Sequence, residues 1–139
     1  AFYDTVTDLP NRNNIEIIIK EHINITSRHN KSFHVFAIKA NEYKDLKNNS
    51  IEKSNELSRE IADAILSSIR DEDTTARVSE DEYIIVFNEY LEEKNYQIPI
   101  NRIKESLKNI NASYASSSYP KDANSTDSLI NGVLSKFKY

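Results

Sequence analysis

Apolar residues recur along the chain with two different periods, and the switches between them mark the elements. After Asn11, a favourable helix N-cap, Ile15, Ile18, Ile19, His22 and Ile23 follow helical spacing and predict an amphipathic helix over residues 11–27. The polar break "HNKS" ends it. "FHVFAIKA", residues 33–40, is aromatic and β-branched and reads as a buried strand. "NEYKDLKNNSIEKS" reads as a polar crossover. Leu57, Ile61, Ala64, Ile65 and Ile69 mark a second helix, running from about Ile51 to near Arg70. "TTARVS" and "EYIIVF" read as the two strands of a β-hairpin that turns at Glu80-Asp81. A charged loop, "EEKNYQ", follows. Ile100, Ile103, Leu107 and Ile110 predict a third helix, "NASYASSSY" a weak strand, and "STDSLINGVLSKF" a last helix capped by Ser125 or Thr126.

The order α β α β β α β α predicts an α/β sandwich with a mixed sheet around a central hairpin. The 139 residues suffice for one domain, spanning 1–139, with a real core. There is no repeat and no low-complexity linker.

Composition narrows the chemistry. The formal net charge of −4 argues against bulk attraction to DNA, RNA or anionic lipid. No cysteine is present, which removes disulfides and thiolate metal sites and fits a reducing, cytoplasmic setting. No apolar run approaches the ~20 residues of a membrane span. The chain opens on "AFYDTVTDLP" without an initiator Met, so it is expected to be cut from a longer protein, and any membrane attachment would come through a missing N-terminal region. Gly132 is the only glycine, which excludes a P-loop and a Rossmann fingerprint. His22, His29 and His34 are scattered, and His22 falls on an apolar helix face where packing is the expected role.

Three landmarks carry a resemblance. Asp4-Thr5-Val6-Thr7-Asp8-Leu9-Pro10-Asn11-Arg12 is similar to a D-x-L-T-x-L-x-N-R opening. Arg77-Val78-Ser79-Glu80-Asp81-Glu82-Tyr83 is similar to R-[LVY]-G-G-D-E-F ahead of an apolar strand. Ser113-Tyr114-Ala115-Ser116-Ser117-Ser118-Tyr119-Pro120 is similar to S-I-G-I-A-x-Y-P. In order and spacing the chain resembles the GGDEF domains, the diguanylate cyclase family, which implies a GGDEF-type α/β sandwich whose central mixed sheet is largely antiparallel and flanked by helices. Active members condense two GTP molecules into cyclic di-GMP across a dimer, with divalent metals held by carboxylates that neutralise phosphate charge and activate the attacking hydroxyl.

On that resemblance Asp81 matches a metal carboxylate and Glu82 the next signature position, and the remaining requirements fail. Lys39 stands where the second metal aspartate belongs, in Lys39-Ala40-Asn41-Glu42-Tyr43-Lys44, and a cation there repels a divalent metal. The guanine-reading asparagine falls at Lys47 and the guanine-reading aspartate near Asn55. Ser79 and Glu80 replace the two glycines that let backbone approach the nucleotide. No catalysis and no metal or other cofactor is therefore expected, and Asp81 and Glu82 read either as remnants or as a solvated turn. Lys39 is expected to pair with Asp81 across the strands.

One motif survives. The family's product-inhibited members carry R-x-x-D ending five residues before the signature. Here Arg70 and Asp73 stand three apart, and residues 74–78 fill the gap. An arginine fork suits guanine O6 and N7, and an aspartate suits N1–H and the 2-amino group. Arg102 is the candidate second arginine. The plain alternative is a surface ion pair at a helix end. The resemblance thus implies a cyclic di-GMP receptor using Arg70, Asp73 and Arg102. The alternative is a ligand-free module that dimerises or relays a signal, and a homodimer is compatible with both.

Overall fold

The structure, a computed structural model, describes residues 1–88 and 93–137. Helix α1 (Arg12–Arg28) precedes strand β1 (Phe33–Ala40), and helices α2 (Tyr43–Asn49) and α3 (Ile51–Leu66) follow. The hairpin is β2 (Thr74–Ser79) and β3 (Glu82–Phe87). A 3-10 turn (Glu93–Tyr96), α4 (Gln97–Ser106), β4 (Ala112–Tyr119) and α5 (Thr126–Ser135) complete the order. The sheet runs β2-β3-β1-β4. The expectation of a largely antiparallel sheet holds, and the mixed character does not appear: every pairing among the described strands is antiparallel. None of the described helices is long and apolar enough to cross a membrane.

The alternation of β1 and β3 explains why they read as unbroken apolar runs. Phe36, Ile38, Tyr83, Ile85 and Phe87 face a core built with Ile61, Ile65, Ile103 and Leu107. Phe33, Val35, Ala37, Ile84 and Val86 face a second core with Ile15, Ile19, Leu129 and Val133. Both faces are covered, so both side-chain sets must be apolar. His22 packs its ring edge-on to Phe33, with centroids 5.6 Å apart, in the packing role expected of it.

Three boundaries differ from the sequence expectation. The crossover holds a helix, α2, whose only buried residue is Tyr43, so it carries no apolar period to detect. Helix α3 stops at Leu66, short of Arg70, because the Ser67 and Ser68 hydroxyls take the Ala64 carbonyl and the chain turns off. Helix α4 begins at Gln97 and ends at Ser106, with Pro99 tolerated in its first turn. The expected loop "EEKNYQ" overlaps the 3-10 turn and also reaches outside the described residues. The caps fall as expected: Asn11 accepts from the Asn14 N–H, and Ser125 forms a capping box with Ser128.

The hairpin turns without glycine. Neither Glu80 nor Asp81 has a positive φ; only Asp8 (61°) and Asn30 (52°) do among the described residues. The register shifts between Arg77 and Ser79, a β-bulge of the kind that accentuates local twist. Arg77 then fixes the turn from inside: Nη2 and Nε donate to the Glu80 carbonyl at 2.7 and 3.1 Å. The same guanidinium meets both Asp4 oxygens at 3.1 and 3.3 Å and donates to the Ser58 hydroxyl at 3.0 Å. It also lies over the Tyr43 ring. One buried side chain thereby joins the N-terminal segment, α2, α3 and the hairpin, while the Arg77 backbone N–H bonds the Pro10 carbonyl.

Two outcomes follow for stability. Burial opposes the ionisation of Asp4, but hydrogen bonds from the Thr7 hydroxyl and N–H and from Arg77 outweigh it, and the Asp4 pKa lies below the ordinary carboxylate value. Its contribution is therefore complete above the unfolded-state pKa, near 4, and is lost as pH falls through the lower folded value. Asp4→Asn should cost about 1–3 kcal/mol at pH 7 and flatten the acid limb of stability below about pH 4. Denaturant melts at pH 7 and pH 3 check this; an equal difference at both would contradict it. The Tyr83 hydroxyl is buried near Ser58 yet makes no hydrogen bond of good geometry, and burial pushes its pKa up. Tyr83→Phe should be neutral or stabilising by up to about 1 kcal/mol, read as an unchanged or raised thermal midpoint.

Candidate functional site

A cleft of about 570 Å³ opens between the N-terminal segment, α2, α3 and the hairpin turn. Asp4, Arg12, Tyr43, Lys47, Asn55, Arg77, Ser79 and Glu80 are among its walls. The structure thus brings together Lys47, Asn55, Ser79 and Glu80, which the sequence offered separately. Lys47 Nζ donates to Glu80 Oε1 at 2.5 Å, tying α2 to the hairpin turn across the cleft. This hydrogen bond lowers the Glu80 pKa and raises that of Lys47. Both side chains are well exposed, so the pair matters for what it occupies more than for stability. Sequence reasoning treated the two positions as independent losses. The signal that could have joined them was the appearance of opposite charges at two positions expected to be neutral.

The expected bond between Lys39 and Asp81 is not made. Lys39 is the cross-strand partner of Glu82, and the Ala40 N–H bonds the Asp81 carbonyl at 2.8 Å, so the backbones are adjacent. The carboxylates nevertheless turn toward Ser79, whose Oγ lies 3.2 Å from Asp81 Oδ1 and 2.8 Å from Glu82 Oε1. One hydroxyl proton serves one acceptor at a time. Neither Asp81 nor Glu82 lies within ion-pair distance of Lys39, which is only half-buried, so water can solvate its ammonium at little cost. Among the described residues no cluster of three or more His, Cys, Asp or Glu side chains could hold a metal.

Arg70 and Asp73 form a corner between the end of α3 and the start of β2. Arg70 Nη2 meets Asp73 Oδ1 at 3.2 Å, and Nε meets Oδ2 at 3.4 Å. Glu72 lies 3.6 Å from Nε. The Arg70 side chain is 43% exposed, whereas that of Asp73 is wholly buried. The pair lines a second cavity of about 360 Å³ together with residues 7–10, Leu66, Ile69 and Thr75. Arg102 is exposed on α4, does not line this cavity and bonds neither Arg70 nor Asp73.

Sequence reasoning missed Arg77 as the organiser of the cleft. Its cue was the pairing of an acid in the opening segment, Asp4, with a base just ahead of the hairpin turn.

Comparison with known proteins agrees with this architecture. The family model described as diguanylate cyclase, GGDEF domain, matches residues 1–126. No curated protein matches the chain. The GGDEF domain of TpbB (YfiN) from Pseudomonas aeruginosa is similar with a TM-score of 0.86 at 18% identity, over 94% of this chain and 83% of that one. The GGDEF domain of DgcB from Caulobacter crescentus, solved in complex with c-di-GMP, gives 0.86 at 13% identity over 99% and 91%. Vibrio cholerae LapD, an S helix-GGDEF-EAL protein bound to c-di-GMP, gives 0.82 at 24% identity over 99% of this chain and 34% of that one. With its opening segment, hairpin and antiparallel sheet matched over nearly its whole length, the chain belongs to the GGDEF domain family of diguanylate cyclases.

Proposed function

We propose that this GGDEF domain makes no cyclic di-GMP and instead binds it, using Arg70 as the reader of guanine. The observation that carries the reading is the Arg70–Asp73 corner: an arginine fork held in one orientation, partly exposed, beside a cavity. A held fork loses less entropy on meeting a planar two-acceptor edge than a free one. Arg102, exposed on α4 and outside this cavity, is the proposed second fork. The domain is read as a signalling output domain acting in the cytoplasm.

Two features support the loss of catalysis. Lys47 and Glu80 bond each other across the cleft, so a nucleotide entering there would have to part an ion pair and then face the Glu80 charge. Lys39 adds a positive charge on the strand beside Asp81, where a divalent cation would need a second carboxylate. The ligand-free relay reading keeps one supporting observation, since Arg70 is already engaged by Asp73 and by the Asn88 carbonyl at 2.6 Å.

Incubation with GTP and Mg²⁺ or Mn²⁺ should yield no cyclic di-GMP above a blank on chromatography, and Lys39→Asp alone should not restore it, since Lys47 and Glu80 remain. Calorimetry with cyclic di-GMP should show binding that Arg70→Ala weakens about 5- to 150-fold, the worth of one bidentate Arg–guanine pair. Arg70→Lys should recover little of it. No heat at high micromolar protein, or binding unchanged in Arg70→Ala, would leave the relay reading in front.

A further inference from the structure

The two edges of the sheet are treated differently. Along β2 the N-terminal segment lends cover, its Pro10 carbonyl taking the Arg77 N–H. At β4 the register decides which backbone groups face outward. The Ala40 N–H bonds the Asp81 carbonyl, so the even-numbered residues of β1 turn their backbone groups to β3 and the odd-numbered ones to β4. The partners of those odd residues are Ser113, Ala115, Ser117 and Tyr119, which leaves Ala112, Tyr114, Ser116 and Ser118 facing away from the sheet. Asp122 takes both groups of Ser118: its carboxylate accepts from the N–H at 2.8 Å, and its own N–H donates to the carbonyl at 2.9 Å. The Ser116 carbonyl accepts from Lys136 Nζ. Among the described residues, nothing bonds the backbone groups of Ala112 and Tyr114 or the Ser116 N–H.

Exposed lysines flank this open stretch, one on each face. Lys104 comes from α4, on the side of the core that holds Ile103, and lies 5.2 Å from the Tyr114 ring centroid. Lys136 follows α5, on the side of the core that holds Val133. Acidic side chains stand at the two ends, Asp122 beyond Ser118 and Glu42, held by Asn111 Nδ2, before Ala112. A strand laid along the edge alternates its side chains between the faces, so two neighbouring residues at its centre face the two lysines.

We propose that the outer edge of β4 docks an extended acidic segment of a partner protein as a fifth strand. Backbone bonds to Ala112, Tyr114 and Ser116 supply the hold, and a central pair of adjacent carboxylates meets Lys104 and Lys136. The incoming N–H takes the Ser116 carbonyl, and the Lys136 ammonium it displaces turns to the carboxylate beside it. A lysine on a sheet edge can instead serve purely to block pairing, and the two roles predict opposite results. The proposal is independent of cyclic di-GMP binding.

The test uses the whole chain and capped hexapeptides of Val and Thr around a central Glu-Glu or Lys-Lys pair, followed by amide NMR and hydrogen exchange. The Tyr114 and Ser116 amides should exchange freely in the protein alone. The Glu-Glu peptide at millimolar concentration should shift both and slow their exchange. The Lys-Lys peptide should bind at least about tenfold more weakly, since two attractive pairs become repulsive. Lys104→Gln and Lys136→Gln should each weaken the acidic peptide about two- to fivefold, the worth of an exposed ion pair. Methylating the two central peptide nitrogens should abolish binding, which separates strand addition from simple charge attraction. No shift with the acidic peptide would make Lys136 a guard and overturn the proposal, as would equal binding of the two peptides. Protected Tyr114 and Ser116 amides in the free chain would also overturn it: if the protection fades on dilution the edge belongs to a second copy, and if it persists the edge is already covered.

Discussion

A buried guanidinium has no tolerance for empty hydrogen-bonding positions, and the cleft side of this domain is organised around satisfying one. Arg77 is 6% exposed, and its N–H groups are matched by Asp4, Ser58 and the Glu80 carbonyl. Each partner belongs to a different part of the chain. Desolvating an arginine is worthwhile only when such a set is complete. The N-terminal segment is therefore part of the fold's interior logic, as much as any core isoleucine. It also explains how a hairpin with Ser79, Glu80 and Asp81 holds its turn without glycine: the carbonyl of Glu80 is anchored from within while its side chain swings out to Lys47.

That division of labour at Glu80 links the scaffold to the cleft. Its backbone serves the buried arginine and its carboxylate serves the exposed lysine. Two residues that each seem to damage a nucleotide site restore local neutrality when taken as a pair. At the opposite end of the hairpin the Arg70–Asp73 corner has the same construction, with a charged pair that also satisfies backbone, here that of Asn88. The hairpin is thus gripped by an arginine at each end, buried at the turn and half-exposed at the strand exits.

The sequence was most legible where periodicity is strong. β1 and β3 were predicted with their observed limits, because both faces of these strands are buried and they read as unbroken apolar runs. The caps of α1 and α5 were legible because Asn11 and Ser125 have a mechanism at those positions. Helix α2 was not, since one buried residue in seven leaves no pattern. At the site, Arg70 and Asp73 were legible as a pair, whereas the Lys47–Glu80 bond and the hold of Arg70 and Asp73 on the Asn88 backbone were not. The Lys39–Asp81 expectation failed because strand adjacency fixes Cα positions and leaves a four-carbon lysine stem free to point its charge to water. Local competition from the Ser79 hydroxyl decided where the carboxylates turned.

The strand order has a consequence for how the chain reaches this state. In the sheet β2-β3-β1-β4, only the β2–β3 contact joins neighbours in sequence. The central strand β1 must find β3 across two helices and β4 across nearly the whole remaining chain, as when Phe36 meets Ile85 and Ser116. Each such closure loses chain entropy before any packing is gained, so the topology carries a high contact order and an intrinsically slow search. The hairpin, closed by its own short turn and gripped at both ends, is the one local template on which that search can be organised.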